Sequence, residues 1–340
     1  MFKKIILGTL LGLALASPGV SSADVSLLNV SYDVTREFYK DYNAKFAGYW
    51  REKTGQTVAV QQSHGGSTKQ ARSVIDGLEA DVVTMNQQTD IDAISAIGKL
   101  IPADWRRLLP HQSSPYSSTI VFLVRKGNPK GIKDWNDLAR SGVSVIIPNP
   151  KTSGNGRYSY LGAYGYALKK QGGDDAQARA FVGKVFKNVP VLDTGGRGAT
   201  TTFIQRGIGD VLLTFESEVL LIQQESGGAK FDVVVPSLSI EADAPVAVVE
   251  KYASKHKTQQ VAQAYLEYLY QAEGQELIAK HFFRPRDAAV AARYSGRFPK
   301  IPLFTVDELF GGWQKAQQTH FADGGVFDQI YEGKKPGTGV

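Results

Sequence analysis

From about residue 25 to residue 250 the chain repeats one local pattern. A short apolar run is followed by a cluster of glycine, serine or asparagine, and then by large side chains at helical spacing. No other feature constrains the fold as much. Strands joined through helices pair in parallel, because a parallel neighbour can be reached only by a crossover. Parallel sheets carry helices on both faces, and their ligands bind beyond the carboxyl ends of the strands. The class is therefore α/β, and the informative loops are those at strand ends.

Residues 143–157, VSVIIPNPKTSGNGR, show the pattern most clearly. The spacing predicts a strand over 143–147, which Pro148 and Pro150 stop, and a helix over 158–169. Between them Ser153, Gly154, Asn155 and Gly156 lead the chain into a helix N-terminus. Unpaired N–H groups and the positive end of the macrodipole favour an anion there. A plain serine-capped connection reads from the same residues equally well. Recurrence decides between the two readings. Tyr32-Asp33-Val34, Ser63-His64-Gly65-Gly66-Ser67 and Gly195-Gly196-Arg197-Gly198 are further junctions of this kind. Two junctions precede the proline-rich passage 101–118 and two follow it. At roughly 150 residues per domain, 340 residues make about two lobes, with one anion site between them.

Further strands are expected over 25–32, 58–62, 80–84, 119–125, 189–192, 210–215, 231–236 and 245–250. Residues 257–340 are expected to be mainly helical, with 333–340 disordered. The expected organisation is a first lobe of 24–117 and 240–340, C-terminal helices included, and a second lobe of 118–239.

Oriented neutral dipoles can hold a dianion without a counter-ion. A pocket made only of donors would also reject hydrogen phosphate, whose buried O–H would go unpaired at a cost of roughly 1–3 kcal/mol. Lys69 and Lys151 read as solvated or ion-paired surface charges. Arg157 and Arg197 directly follow their glycine loops and are supporting candidates, as is His64.

Enzyme signatures are missing from the sequence. It has no phosphate loop ending in Gly-Lys-Ser/Thr, no G-x-S-x-G elbow and no H-E-x-x-H helix. His64 beside Ser63 and Ser67 lacks the orienting acid that a triad needs. Tyr158, Tyr160, Tyr164 and Tyr166 cannot converge on one metal, since helical neighbours two apart point away from each other. Trp50, Trp105, Trp135 and Trp313 read as packing residues.

Residues 1–23 have the layout of a signal peptide. Lys3 and Lys4 precede an apolar run over 5–16, and Ser21-Ser22-Ala23 sets cleavage before Asp24. That run is shorter than the ~20 residues needed to span a bilayer. Removing Lys3 and Lys4 lowers the formal charge from +6 to +4, mildly basic and without the basic run of a nucleic-acid binder. There is no cysteine, hence no disulfide framework and no thiolate metal site.

The segments LLNVSYDVTRE, QSHGGSTKQ, LEADVVT, FLVRKGNPK, DWNDL, NPKTSGN, DTGGRGATTTF, RGIGDVLL and FGGWQKAQ carry a specific resemblance over about residues 27–329. The sequence resembles the periplasmic sulfate- and thiosulfate-binding proteins of bacterial ABC transporters. This implies a type II periplasmic binding protein fold, two doubly wound α/β lobes joined by two crossover segments with the ligand cleft between them. It implies a monomer that delivers sulfate or thiosulfate to membrane permease subunits for sulfur assimilation, with neither cofactor nor metal. The alternative is an exported hydrolase or transferase using the same cleft.

Carried over by position, the ligand donors implied by the resemblance are the N–H of Asp33, the hydroxyl of Ser67, the hydroxyl and N–H of Ser153, and the N–H groups of Gly154, Asn155 and Gly196. Sulfate-binding members have a donating tryptophan where this chain has Phe215. MNQQTD, KLIPADW and TFESEV resemble the thiosulfate-binding members instead, so the resemblance leans to thiosulfate with sulfate accepted.

Overall fold

The computed structural model describes residues 23–170, 172–226 and 229–332. Apart from Ala23, the expected export segment lies outside them, as does the tail 333–340. Strands are β1 (Val25–Tyr32), β2 (Val58–Gly65), β3 (Val82–Thr84), β4 (Tyr116–Arg125), β5 (Val145–Ile146), β6 (Val211–Phe215), β7 (Phe231–Val234), β8 (Ser239–Asp243), β9 (Val246–Val248), β10 (Arg284–Pro285) and β11 (Leu303–Phe304).

They form two sheets. The first runs β2-β1-β3-β9, parallel except for β9. The second runs β11-β8-β4-β6-β5, with β7 and β10 also paired to β4. Side-chain alternation explains why both faces are covered. Along β4, Ile120, Phe122 and Val124 enter one core cluster while Val121 and Leu123 enter another. In the first sheet Leu27 and Val82 face one cluster, Val30 and Val83 the other. A strand buried on both sides needs an unbroken apolar run, and TIVFLV supplies it. Each such side chain contributes roughly 1.5–3 kcal/mol by its burial.

Helix Arg36–Thr54 presents Phe38, Tyr42, Phe46 and Trp50 to the first sheet, each four residues after the last, as one helical face allows. Helix Ser67–Ile75 covers the opposite face through Ala71 and Val74.

The chain passes between the sheets at the start of β4, where Thr119 pairs with Glu241 and Ser117 with Asp243 of β8. A third passage is made at β10, which pairs with the start of β4. It leads to β11 in the second sheet and then to helices Val306–Phe310, Trp313–Ala316 and Val326–Glu332. These C-terminal helices pack on the second lobe. His320 sits against Tyr160 and Tyr164, with ring centroids 5.4 and 4.9 Å away, and Phe327 meets Phe186 at 5.4 Å. The sequence reading attached them to the first lobe with the rest of 240–340. Tyr160 and Tyr164 lie one helical turn apart and make an apolar docking face on the second lobe.

Residues 189–192 do not form a strand. They run beside β5, joined near the ends by Val145 N–H to the Asn188 carbonyl at 2.9 Å and Asn149 N–H to the Asp193 carbonyl at 2.7 Å. The four tryptophans are buried as expected. The tyrosines of helix Gly154–Lys170 diverge: Tyr158 packs on Trp313, Tyr160 and Tyr164 on His320, and Tyr166 beside Trp135 and Phe181.

Candidate anion site between the lobes

At 154–156 and 196–198 the glycines lie in the first turn of a helix, while Gly66 and Gly195 are the caps immediately before one. Helices begin at Ser67, Gly154 and Gly196, and Asp33 opens a 3-10 turn. The helix expected to begin at residue 158 starts four residues earlier. Glycine costs little in a first turn, where N–H groups lack helical partners in any case. Its missing side chain is what the packing requires. A Cβ on Gly154 would overlap the Oδ1 of Asn86, and one on Gly156 would overlap the Pro148 carbonyl oxygen.

All four turns meet where the lobes touch. A Cβ on Gly66 would overlap the Thr194 carbonyl oxygen and stand 2.6 Å from that of Thr152. A Cβ on Gly195 would overlap an Asp33 carboxylate oxygen, and one on Gly196 would stand 2.9 Å from Asn155 Nδ2. Asp33, Ser67, Ser153, Gly154, Asn155 and Gly196 are buried together between the sheets. The Asn155 amide donates to Thr214 Oγ1 at 2.8 Å, which fixes this turn to β6.

Carboxylates stand among these donors, whereas the rejection of hydrogen phosphate expected from the sequence applies to a pocket of donors only. Asp33 Oδ2 accepts the Arg197 N–H at 3.1 Å. Ser67 Oγ donates to Asp90 Oδ2 at 2.5 Å and accepts the Asn86 N–H at 3.3 Å. Burial raises both carboxyls above their ordinary range, against the Arg197 backbone N–H at Asp33 and the Arg157 charge at Asp90.

Arg157 is 4% exposed; its Nε donates to the Pro150 carbonyl at 2.9 Å and its guanidinium reaches Thr89 Oγ1, across the cleft, at 3.3 Å. Burial lowers its pKa, opposed by Asp90. Arg197 bonds Glu37 of the first lobe at 2.6 Å and lies 3.4 Å from Glu218 of its own lobe. Burial pulls its pKa down, but Glu218 and Glu37 together more than reverse this. Both arginines therefore join the lobes through acidic or hydroxyl partners.

His64 is held neutral, its pKa lowered to about 4 by burial and by Arg36. Among the described residues no hydrogen bond links it to Ser63 or Ser67; Ser63 accepts from Gln70 and Ser67 pairs with Asp90. Lys151 is tied to Asp328 at 2.8 Å and Lys69 is exposed. Phe215 is 2% exposed, with its ring edge-on to Tyr32 at 6.1 Å and Tyr158 at 5.9 Å. The aromatic wall thus stands beside Asp33 through Tyr32.

Sequence reasoning missed Asn86, Asp90, Glu37 and Glu218. Their partners lie far away along the chain, and no local spacing marks them. No group of three or more metal-ligating side chains occurs among the described residues.

A family model described as bacterial extracellular solute-binding protein matches residues 30–284. The chain is 56% identical over 329 residues to a thiosulfate-binding protein of Pseudomonas aeruginosa, covering 97% of this chain and 99% of that one. It is 58% identical over 318 residues to a sulfate-binding protein of Salmonella typhimurium, covering 94% and 96%. The solved sulfate-binding protein SubI of Mycobacterium tuberculosis superposes with a TM-score of 0.77 at 33% identity, over 86% of this chain and 98% of SubI.

Proposed function

The chain belongs to the bacterial extracellular solute-binding proteins, and from that membership we propose that it captures sulfate or thiosulfate between its lobes. It then presents the closed complex to the permease of an ABC-type importer. It is a periplasmic binding protein and not an enzyme. Export by residues 1–23 with cleavage after Ala23 belongs to the same reading.

One observation carries it. Helix first turns at Ser67, Gly154 and Gly196, together with the turn at Asp33, come from both sheets and converge in one buried cleft. N–H groups at helix starts present fixed positive dipoles, so a bound dianion needs no counter-ion and little rearrangement. Donors from two lobes also make the anion a bridge, which favours the closed arrangement. The donors proposed are the N–H groups of Asp33, Gly154, Asn155 and Gly196 and the hydroxyl of Ser153, whose own N–H donates to the Asn149 carbonyl at 2.9 Å, with Ser67 held by Asp90. Phe215 supplies an apolar wall suited to a terminal thiosulfate sulfur, a larger and poorer acceptor than oxygen. A hydrolase or transferase reading gains no support, because His64 is neutral and, among the described residues, hydrogen-bonded to no serine.

Isothermal titration with sulfate, thiosulfate, phosphate and molybdate tests this reading, with each mixture checked for turnover. Binding of sulfate or thiosulfate without turnover is the expected result. Binding of neither sulfur oxyanion overturns it.

A further inference from the structure

Asn86 follows β3 in the first lobe and is 4% exposed. Its backbone N–H donates to Ser67 Oγ at 3.3 Å, so it is fastened to one of the proposed site residues. Its side chain crosses to the second lobe and fills the space that a side chain on Gly154 would need. Its Oδ1 is buried and has no hydrogen-bond donor. An unpaired buried carbonyl is costly, and this one lies at the N-terminus of a seventeen-residue helix (Gly154–Lys170), where anion oxygens are stabilised.

We propose that Asn86 is a further ligand-contacting and specificity-determining residue, its carboxamide presenting the NH2 group to the bound sulfur oxyanion. The inference rests on the functional reading above. An anion oxygen and the amide oxygen are both acceptors and repel each other in so small a space. A half-turn about the Cβ–Cγ bond exchanges C=O for NH2 without moving either lobe, and an amide is nearly symmetric in shape. The turn converts an orphaned acceptor into a donor. Ser67 makes the exchange more important. Its one hydroxyl proton is directed at Asp90, so the neighbouring amide becomes the side-chain donor that the first lobe offers beside Gly154. An amide donor takes a fully deprotonated oxyanion. With the carbonyl turned inward it would take a protonated one, such as hydrogen phosphate.

Isothermal titration of the full chain and two variants separates these cases. Asn86→Ala should weaken sulfate and thiosulfate binding by about tenfold, the loss of one hydrogen bond to a charged acceptor. Asn86→Asp keeps the shape but offers only acceptors and adds charge, and it should weaken both anions by about a hundredfold or more at pH 8. An Asn86→Ala variant that binds both anions within about twofold of the parent overturns the inference while the function stands. So does an Asn86→Asp variant that binds both anions within about twofold of the parent, whereas one that gains hydrogen phosphate at the expense of thiosulfate supports it. A parent that binds neither sulfur oxyanion overturns both. The unsubstituted protein offers an independent check: the Asn86 side-chain NH2 resonances should shift on titration with thiosulfate. Resonances that do not move overturn the inference even if the variants fail to fold.

Discussion

The guanidinium of Arg197 reaches from one lobe to the carboxylate of Glu37 on the other, 2.6 Å away. Both side chains are about a third exposed, at 31% and 35%. Such a pair contributes about 0–1 kcal/mol to stability. Its consequence lies in closure, because it exists only while the lobes meet.

Glu37→Gln should therefore leave thermal stability almost unchanged and weaken anion binding by a few-fold. Arg197→Ala should do more, since it strands Glu218, which is fully buried. Removing one partner of a buried pair costs up to about 3–5 kcal/mol, less if the survivor takes up a proton. Urea unfolding of both variants beside titration calorimetry checks the contrast, and equal unfolding midpoints would refute it.

Glu218 should make stability fall as the pH rises. Burial, opposed by Arg197 and Thr200, raises its folded pKa from 4.5 to about 7. The folded state then holds a proton that the unfolded state has released. Its stabilising contribution is complete below about pH 4.5 and is lost as pH rises through about 7. Asp33, Asp90, Glu216 and Asp243 are raised by burial too, so only a comparison isolates Glu218. Glu218→Gln should show a shallower decline between those limits in urea unfolding. Parallel curves would mean that Glu218 does not titrate there.

Gly66→Ala should hold the lobes apart. The new Cβ meets backbone oxygens of Thr194 and Thr152, which cannot swing aside as a flexible side chain would. Neither core is disturbed, so unfolding should change little. Anion affinity should fall by about a hundredfold or more as the two donor sets separate. Small-angle scattering at saturating thiosulfate should show a larger particle than the parent. A variant as compact as the parent would refute this.

Phe215→Trp should raise the ratio of sulfate to thiosulfate affinity. An indole N–H restores a donor worth about 1–2 kcal/mol to a charged acceptor, or roughly tenfold. The ring is wedged between Tyr32 and Tyr158, so the extra bulk should also cost about 1–3 kcal/mol of stability. Both affinities must be measured. A ratio that stays constant or moves towards thiosulfate removes Phe215 from the choice of anion.

What could be read from the sequence was local. Nearly unbroken apolar runs in TIVFLV and DVLLTF announce strands buried on both sides, and glycine with serine after a strand announces a helix start that tolerates close approach. Reading failed where the outcome depends on partners distant in the chain. VPVL at 189–192 has strand composition, but it reaches β5 only near its ends and never completes a ladder. Asp90 carries no local mark of a site residue; its burial against Ser67 and the Arg157 charge emerges only when the lobes assemble. Asn86 entered only as part of the segment MNQQTD, with no role of its own, because its meaning depends on a glycine 68 residues later.

The docking of the C-terminal helices on the second lobe has a practical consequence. β1 belongs to the first sheet and helix Val326–Glu332 packs on the second lobe, so under the proposed closure positions near the two ends of the folded chain travel with opposite jaws. The chain contains no cysteine. Single cysteines introduced at the exposed positions Ser26 and Thr319 would be unique attachment points. A dye pair placed there would act as a molecular caliper, reading the opening and closing of each molecule without touching the cleft.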